Sequence, residues 1–197
     1  MPRTFTAALA GGLLQGHPLG LGPAGALPTD ALRRRRRAWV GPYAGPVMPN
    51  PVARTAARVL LIDAADRVLL FRGGDPAAPE RGTWWFTPGG GLDPGESRAE
   101  GAARELFEET GLRVAASELG EPVLLRAIEF DFDGTRYAQD EEFFLLRVEA
   151  HEVDTAGFSE LEMRSVVEHR WWTRADLAST SDAVYPDGLA ALLDRVA

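Results

Sequence analysis

The stretch GGLDPGESRAEGAARELFEETGL, residues 90–112, decides how this chain folds. Ser97 and Glu100 form an S-x-x-E capping box, which predicts a helix starting near Arg98. Its interior is rich in Ala, Glu, Leu and Arg, and Gly111 stands where a left-handed cap ends it near Thr110. Ala99, Ala103 and Leu106 recur at helical spacing and are expected to face a core, with Phe107 at the edge of that stripe. Small residues in the stripe let the helix lie close to a sheet.

The wet side of the helix carries the chemistry. Glu105, Glu108 and Glu109 are related by i,i+3 and i,i+4, so three carboxylates converge on one patch and repel one another. Mg²⁺ or Mn²⁺ would turn that repulsion into a binding site, because such ions take hard oxygen ligands from a few carboxylates, waters and substrate phosphates. Arg104 lies four residues before Glu108 and four after Glu100, placed to hold part of this charge.

Gly90, Glu96, Arg104, Glu105, Leu106, Glu108, Glu109, Gly111 and Leu112 fill every defined position of the pattern G-x5-E-x7-R-E-U-x-E-E-x-G-U, where U is a bulky aliphatic. The stretch therefore resembles the Nudix box. Seven of those positions demand one residue type, so a chance match is on the order of a few in a billion per starting point. An ordinary amphipathic surface helix accounts for the acids but not for the glycines and their spacing.

The resemblance implies an α/β fold, an α/β/α sandwich with a mixed β-sheet. It implies hydrolysis of a nucleoside diphosphate linked to another moiety, with Mg²⁺ (or Mn²⁺) held by Glu105, Glu108, Glu109 and the Gly90 carbonyl. Glu105 would act directly, as ligand or as the base that deprotonates water. Arg104 would orient its neighbours, and Glu96 would brace Arg104 from the loop. Relatives of this kind often take a further acidic ligand or base from outside the box. Asp140, Glu141 and Glu142, at the expected start of a strand, are candidates, and Glu160 and Glu162, in an expected loop, are candidates of lower weight. Trp84, Trp85, Phe86, Trp171 and Trp172 are candidate surfaces for stacking a base, although such residues more often belong to a core. His151 and His169 read as surface or packing residues.

Outward from the box, RVLLID (58–63) and RVLLFR (67–72) read as a hairpin at the heart of the sheet, apolar enough to need cover on both faces. Residues 84–86 form a short strand, and the glycines at 89–91 open the loop to the helix. VLLRAIEFDF (123–132), a turn at Asp133-Gly134 and a strand around 141–149 form a second hairpin. A strand over 168–173, a short helix capped by Thr173 and a last helix over roughly 187–196 complete the pattern.

Residues 55–197 are thus expected to form the hydrolase-like domain. Residues 1–54 read as a largely flexible extension, since the first 50 contain 15 Gly or Pro and little periodicity. The run Arg33 to Arg37 is read as a solvated tether before the folded domain, in preference to a contact for nucleic acid or an acidic partner, and Trp39, Val40 and Tyr43 as residues that dock on the domain. The first 50 residues carry a net charge of +5 and the remainder −13, within a total of −8. So acidic a domain disfavours binding of a nucleic-acid backbone and suits a small anionic nucleotide substrate only where metal ions mediate. With no Cys there is no disulfide framework or thiolate site, and a cytoplasmic setting is the simplest expectation. No run approaches the length of a membrane span, and a homodimer is left open. The alternative reading is a module of this fold that binds nucleotide without cleaving it. The intact acid set argues against it, and only the Arg run favours it.

Overall fold

The computed structural model describes residues 50–196. The readings of the Arg33–Arg37 run, of Trp39, Val40 and Tyr43, and of a flexible extension over 1–54 as far as residue 49, fall on residues outside that range. The first strand, β1, spans Val52–Ile62 and so begins ahead of the expected boundary at residue 55.

β1 turns tightly into β2 (Val68–Gly73). Asp63 Oδ1 fixes the turn by accepting the backbone amides of Ala65 (3.0 Å) and Arg67 (2.9 Å). The expected hairpin is present only at its mouth, where Ile62 pairs with Val68. Beyond it the strands part and find distant partners. β1 runs parallel to β6 (Thr135–Arg147) from Val52–Tyr137 to Ile62–Arg147. β2 pairs instead with β3 (Trp84–Phe86) and β7 (Val166–Trp172), both antiparallel.

The glycine trio is a strand rather than a loop. β4 (Gly89–Gly91) pairs antiparallel with β1, setting Ala57 opposite Gly90. A ladder is made by backbone alone, so missing side chains do not prevent it. At Gly89, with φ at 124°, a Cβ would collide with the Ala57 carbonyl and the Arg58 Cα, so glycine is required.

β5 (Leu124–Phe132) and β6 form the second hairpin. Its two turn residues, Asp133 (φ 46°) and Gly134 (φ 74°), are both left-handed, as the twist of a two-residue hairpin demands. β6 begins at Thr135 and not near residue 141. The polar segment TRYAQD is held as strand because β5 and β1 bond it on both edges, and residues 140–142 therefore lie in mid-strand.

Both faces of this mixed sheet are covered, and β1 serves both cores by alternation. Leu60 and Ile62 pack with Trp85, Trp172 and with Leu189 and Leu193 of α4 (Leu189–Val196). Val59 and Leu61 pack with Ala102 and Leu106 of α1 (Arg98–Thr110). Ala102 and Leu106 are the fully buried apolar residues of α1, with Ala99 and Ala103 only partly covered beside them. The result is the expected α/β/α arrangement. The remaining elements are α2 (Glu160–Ser165), α3 (Arg174–Ser179), capped by Thr173, and β8 (Val184–Tyr185), parallel to β3. Neither α2 nor β8 was expected from the sequence.

Candidate active site

The helix α1 has the ends its sequence dictates. Ser97 accepts from the Glu100 amide at 3.3 Å while Glu100 accepts from the Ser97 amide at 2.8 Å, and Gly111 closes the helix with φ of 75°. These caps fix the phase of α1 and so the direction in which its acids point.

Arg104 is the hub. Its guanidinium donates to Glu96 (2.8 and 3.1 Å), to Glu105 (3.0 Å), to Glu108 (2.8 Å) and to the Gly91 carbonyl (2.9 Å). Every arm of a planar fork is engaged, which pushes the Arg104 pKa further up and holds the Glu96 carboxyl below the usual range. Glu96 also accepts from the Asp93 amide at 2.9 Å, so the loop that leads into α1 is tied to the helix face.

The acids divide. Glu105 and Glu109 are buried, and with Glu162 of α2 they form a group whose nearest oxygens all lie within 4.8 Å of one another. Glu108 stands outside this group, half exposed and committed to Arg104. Glu108 is nonetheless a neighbour of Glu105, as the helical spacing expects, because both accept from Arg104 Nη1. The third acid comes from α2, far along the chain.

Two features bring it there. Ser159 caps α2 and its amide donates to Glu162 at 2.6 Å, fixing that side chain at the start of the helix. Ahead of it, the Asp154 amide donates to the Thr110 carbonyl at 2.9 Å and His151 Nε2 contacts the same oxygen at 2.7 Å. Gly157 abuts the Glu108 backbone, where no Cβ fits. The segment 151–158 is thus laid against the end of α1. The S-x-x-E pattern at 159–162 was the sequence signal for this helix, and it was read as loop.

Burial raises the Glu105 pKa against the pull of Arg104, and raises that of Glu109 well above the ordinary value, with Glu105 adding to the effect. Glu109 accepts one hydrogen bond, from the Gly89 amide at 2.7 Å, and has no cationic side chain bonded to it among the described residues. Two buried carboxylates, one of them without a bonded cation among the described residues, joined by a third and offering only oxygen, match what a hard divalent cation needs. Gly90 helps to make the room, since a Cβ there would sit 2.7 Å from both Glu105 oxygens.

The candidates outside the box lie elsewhere. Glu141 is on the sheet face away from α1, beside Phe143 in the register. Its Oε1 accepts from Arg58 (2.8 Å) and Gln139 (2.8 Å) and its Oε2 from Arg126 (2.8 Å). Burial pushes its pKa up, but Arg58 and Arg126 outweigh that and hold it below the usual range. A carboxylate so occupied is an anchor for the sheet rather than a ready base. Glu142 faces α1 and pairs with Arg98 at 2.9 Å. Trp85 and Trp172 meet edge to face at 4.8 Å and are each 3% exposed, so neither offers an open face to a base. Trp84 is partly exposed, and the Arg67 guanidinium lies 6.0 Å from the Trp171 ring centroid.

Comparison with known proteins fits this geometry. Over 53 residues the chain is 55% identical to part of an octanoyltransferase of Myxococcus xanthus, covering 27% of this chain and 14% of that protein. Over 61 residues it is 39% identical to a putative 8-oxo-dGTP diphosphatase of Bacillus subtilis, covering 31% of this chain and 37% of that protein. The chain thus spans less than half the length of these curated relatives. In fold it is similar to the crystal structure of a MutT protein from Methanosarcina mazei, with a TM-score of 0.53 at 19% identity over 75% of this chain and 95% of that one. The family described as NUDIX domain matches residues 52–192, from the first strand into the last helix and across the whole acid site, and the chain belongs to that family.

Proposed function

We propose that this protein is a divalent-cation-dependent pyrophosphohydrolase, cleaving a nucleoside diphosphate linked to another moiety by attack of water on phosphorus. The observation that carries the reading is the group formed by buried Glu105 and Glu109 with partly buried Glu162, beside a fully braced Arg104 network. The named activity of the 8-oxo-dGTP diphosphatase relative agrees with it.

Bound there, Mg²⁺ or Mn²⁺ would neutralise the diphosphate and lower the pKa of a bound water. The chain's own residues do the rest. Glu109 and Glu162 serve as ligands, and Glu105, with its raised pKa, is both a ligand and the group best placed to take a proton. Arg104 holds Glu105 in place through Nη1, Glu96 orients Arg104, and Glu108 completes the brace with a half-exposed oxygen near the opening. Gly90 keeps the strand thin beside the carboxylates.

The test is to incubate the purified protein with nucleoside triphosphates, nucleotide sugars and dinucleotides, with and without Mg²⁺. Cation-dependent release of a nucleoside phosphate product is expected from at least one class. Cleavage of none, with folding intact, would overturn the reading.

A further inference from the structure

Among the described residues, the arginines lacking a carboxylate partner are Arg54, Arg113 and Arg195. Arg113 and Arg195 are exposed, and water satisfies them. Arg54 is partly buried in β1, and no hydrogen bond to its guanidinium occurs among the described residues. A cation withdrawn from water without a bonded anion is costly, and the Glu105 and Glu141 carboxylates reach Arg54 only through space.

Its position says what that anion is. The guanidinium lies over the Tyr137 ring at 5.4 Å and flat against β4, where a Cβ on Gly91 would come within 2.6 Å of Nε and 2.8 Å of Nη2. The next glycine, Gly90, meets the Glu105 carboxylate on the opposite face of the same strand. A strand without side chains is therefore flanked by the acid group on one side and by an unpaired arginine on the other. β4 is bonded to β1 alone among the described strands, and side chains bond its other edge: Glu109 accepts from the Gly89 amide (2.7 Å), and Arg58 and Arg104 donate to the carbonyls of Gly89 and Gly91 (both 2.9 Å). Two further arginines on the Arg54 face, Arg58 and Arg126, are spent on Glu141, and Arg58 also donates to the carbonyls of Thr87 (3.1 Å) and Gly89 (2.9 Å). Three guanidiniums thus lie on the side of one carboxylate, and among the described residues Arg54 is the one of the three that makes no hydrogen bond to it.

We propose that Arg54 is the protein's own phosphate-binding cation, pairing with a phosphoryl oxygen of a diphosphate chain that reaches past β4 from the acid group. This deepens the pyrophosphohydrolase reading and rests on it for the identity of the anion. Arg54 is a positioning residue: it fixes the chain on the side that the acids cannot approach, and a fork of N–H donors suits phosphate better than a point charge.

The test uses imidodiphosphate, which keeps the charge of pyrophosphate but is not cleaved, titrated calorimetrically into the full chain with Mg²⁺ present. Arg54→Gln is expected to weaken binding roughly 10- to 100-fold, the value of a charge-assisted hydrogen bond. Arg54→Lys should recover part of the loss, and Arg113→Gln should bind as the wild type does. On a substrate found by the panel above, Arg54→Gln should raise KM by a similar factor with kcat changed much less. Unchanged affinity in a folded Arg54→Gln protein would overturn the assignment, as would a lowered melting temperature with unaltered affinity. If the wild type binds imidodiphosphate through Arg54 yet cleaves nothing, the hydrolase reading falls and the anion site stands. If it cleaves and Arg54→Gln is indistinguishable, the reverse holds.

Discussion

Gly157→Ala isolates the contact that delivers Glu162. Gly157 is not among the glycines with positive φ, so alanine fits its backbone and the added methyl is the whole perturbation. That methyl would lie 3.0 Å from the Glu108 Cα and 3.1 Å from its carbonyl carbon, closer still to the oxygen. These are backbone atoms of a capped helix and cannot rotate away. Carbon contacts settle at about 3.5–4.0 Å, so the 151–158 segment must retreat by roughly 0.5–1 Å. Overpacking of this kind costs about 1–3 kcal/mol. Because Ser159 and α2 follow directly, the retreat carries Glu162 away from Glu105 and Glu109, and affinity for a divalent cation should fall roughly tenfold for each 1.4 kcal/mol lost there. Urea unfolding gives the first quantity and Mn²⁺ titration the second. A variant with wild-type stability and wild-type Mn²⁺ affinity would refute the view that this packing sets the third ligand.

Further tests address the same network. In chelator, Glu105 and Glu109, whose folded pKa values are raised, contribute stability that is complete below the ordinary glutamate range and lost as pH rises through the folded values. The melting temperature of the wild type relative to Glu109→Gln should therefore fall with rising pH in EDTA and recover with Mg²⁺, whereas a pH-independent difference would show that burial does not burden these acids. Ser159→Ala removes the cap of α2 and should cost about 1 kcal/mol in urea unfolding, with weaker Mn²⁺ binding. Glu141→Gln leaves Arg58 and Arg126 facing each other without their shared anion, and should lower stability by about 3 kcal/mol. A loss of turnover in that variant at full stability would instead make Glu141 part of the chemistry.

What the sequence made legible was whatever it encodes locally. The limits of α1 follow from Ser97, Glu100 and Gly111, and the Glu96–Arg104 brace from the family resemblance; the structure has both. Two-sided burial of β1 was readable from its unbroken apolar run. Partners were not. The adjacent runs 58–63 and 67–72 read as a hairpin, yet β1 is held along its length by β6, a pairing that no local pattern announces. Side-chain propensity carried no information about β4, because its glycines pair through the backbone. The polar start of β6 was passed over because strand was sought in alternating apolar residues. The same limit governs the site. Glu105 and Glu109 were found by helical periodicity, Glu162 was weighed lightly because its approach depends on how 151–158 packs, and Trp85 and Trp172 resembled ligand surfaces until their burial was seen.

The most direct trial of the central idea, that the carboxylates of residues 105, 109 and 162 hold a divalent cation, is calorimetric titration of Mn²⁺ into wild type and Glu109→Gln at neutral pH. Glutamine keeps an oxygen for the Gly89 amide and removes only the charge. Saturable binding in the wild type and a loss of roughly tenfold or more in the variant are expected. Equal affinity in two folded proteins would contradict the account.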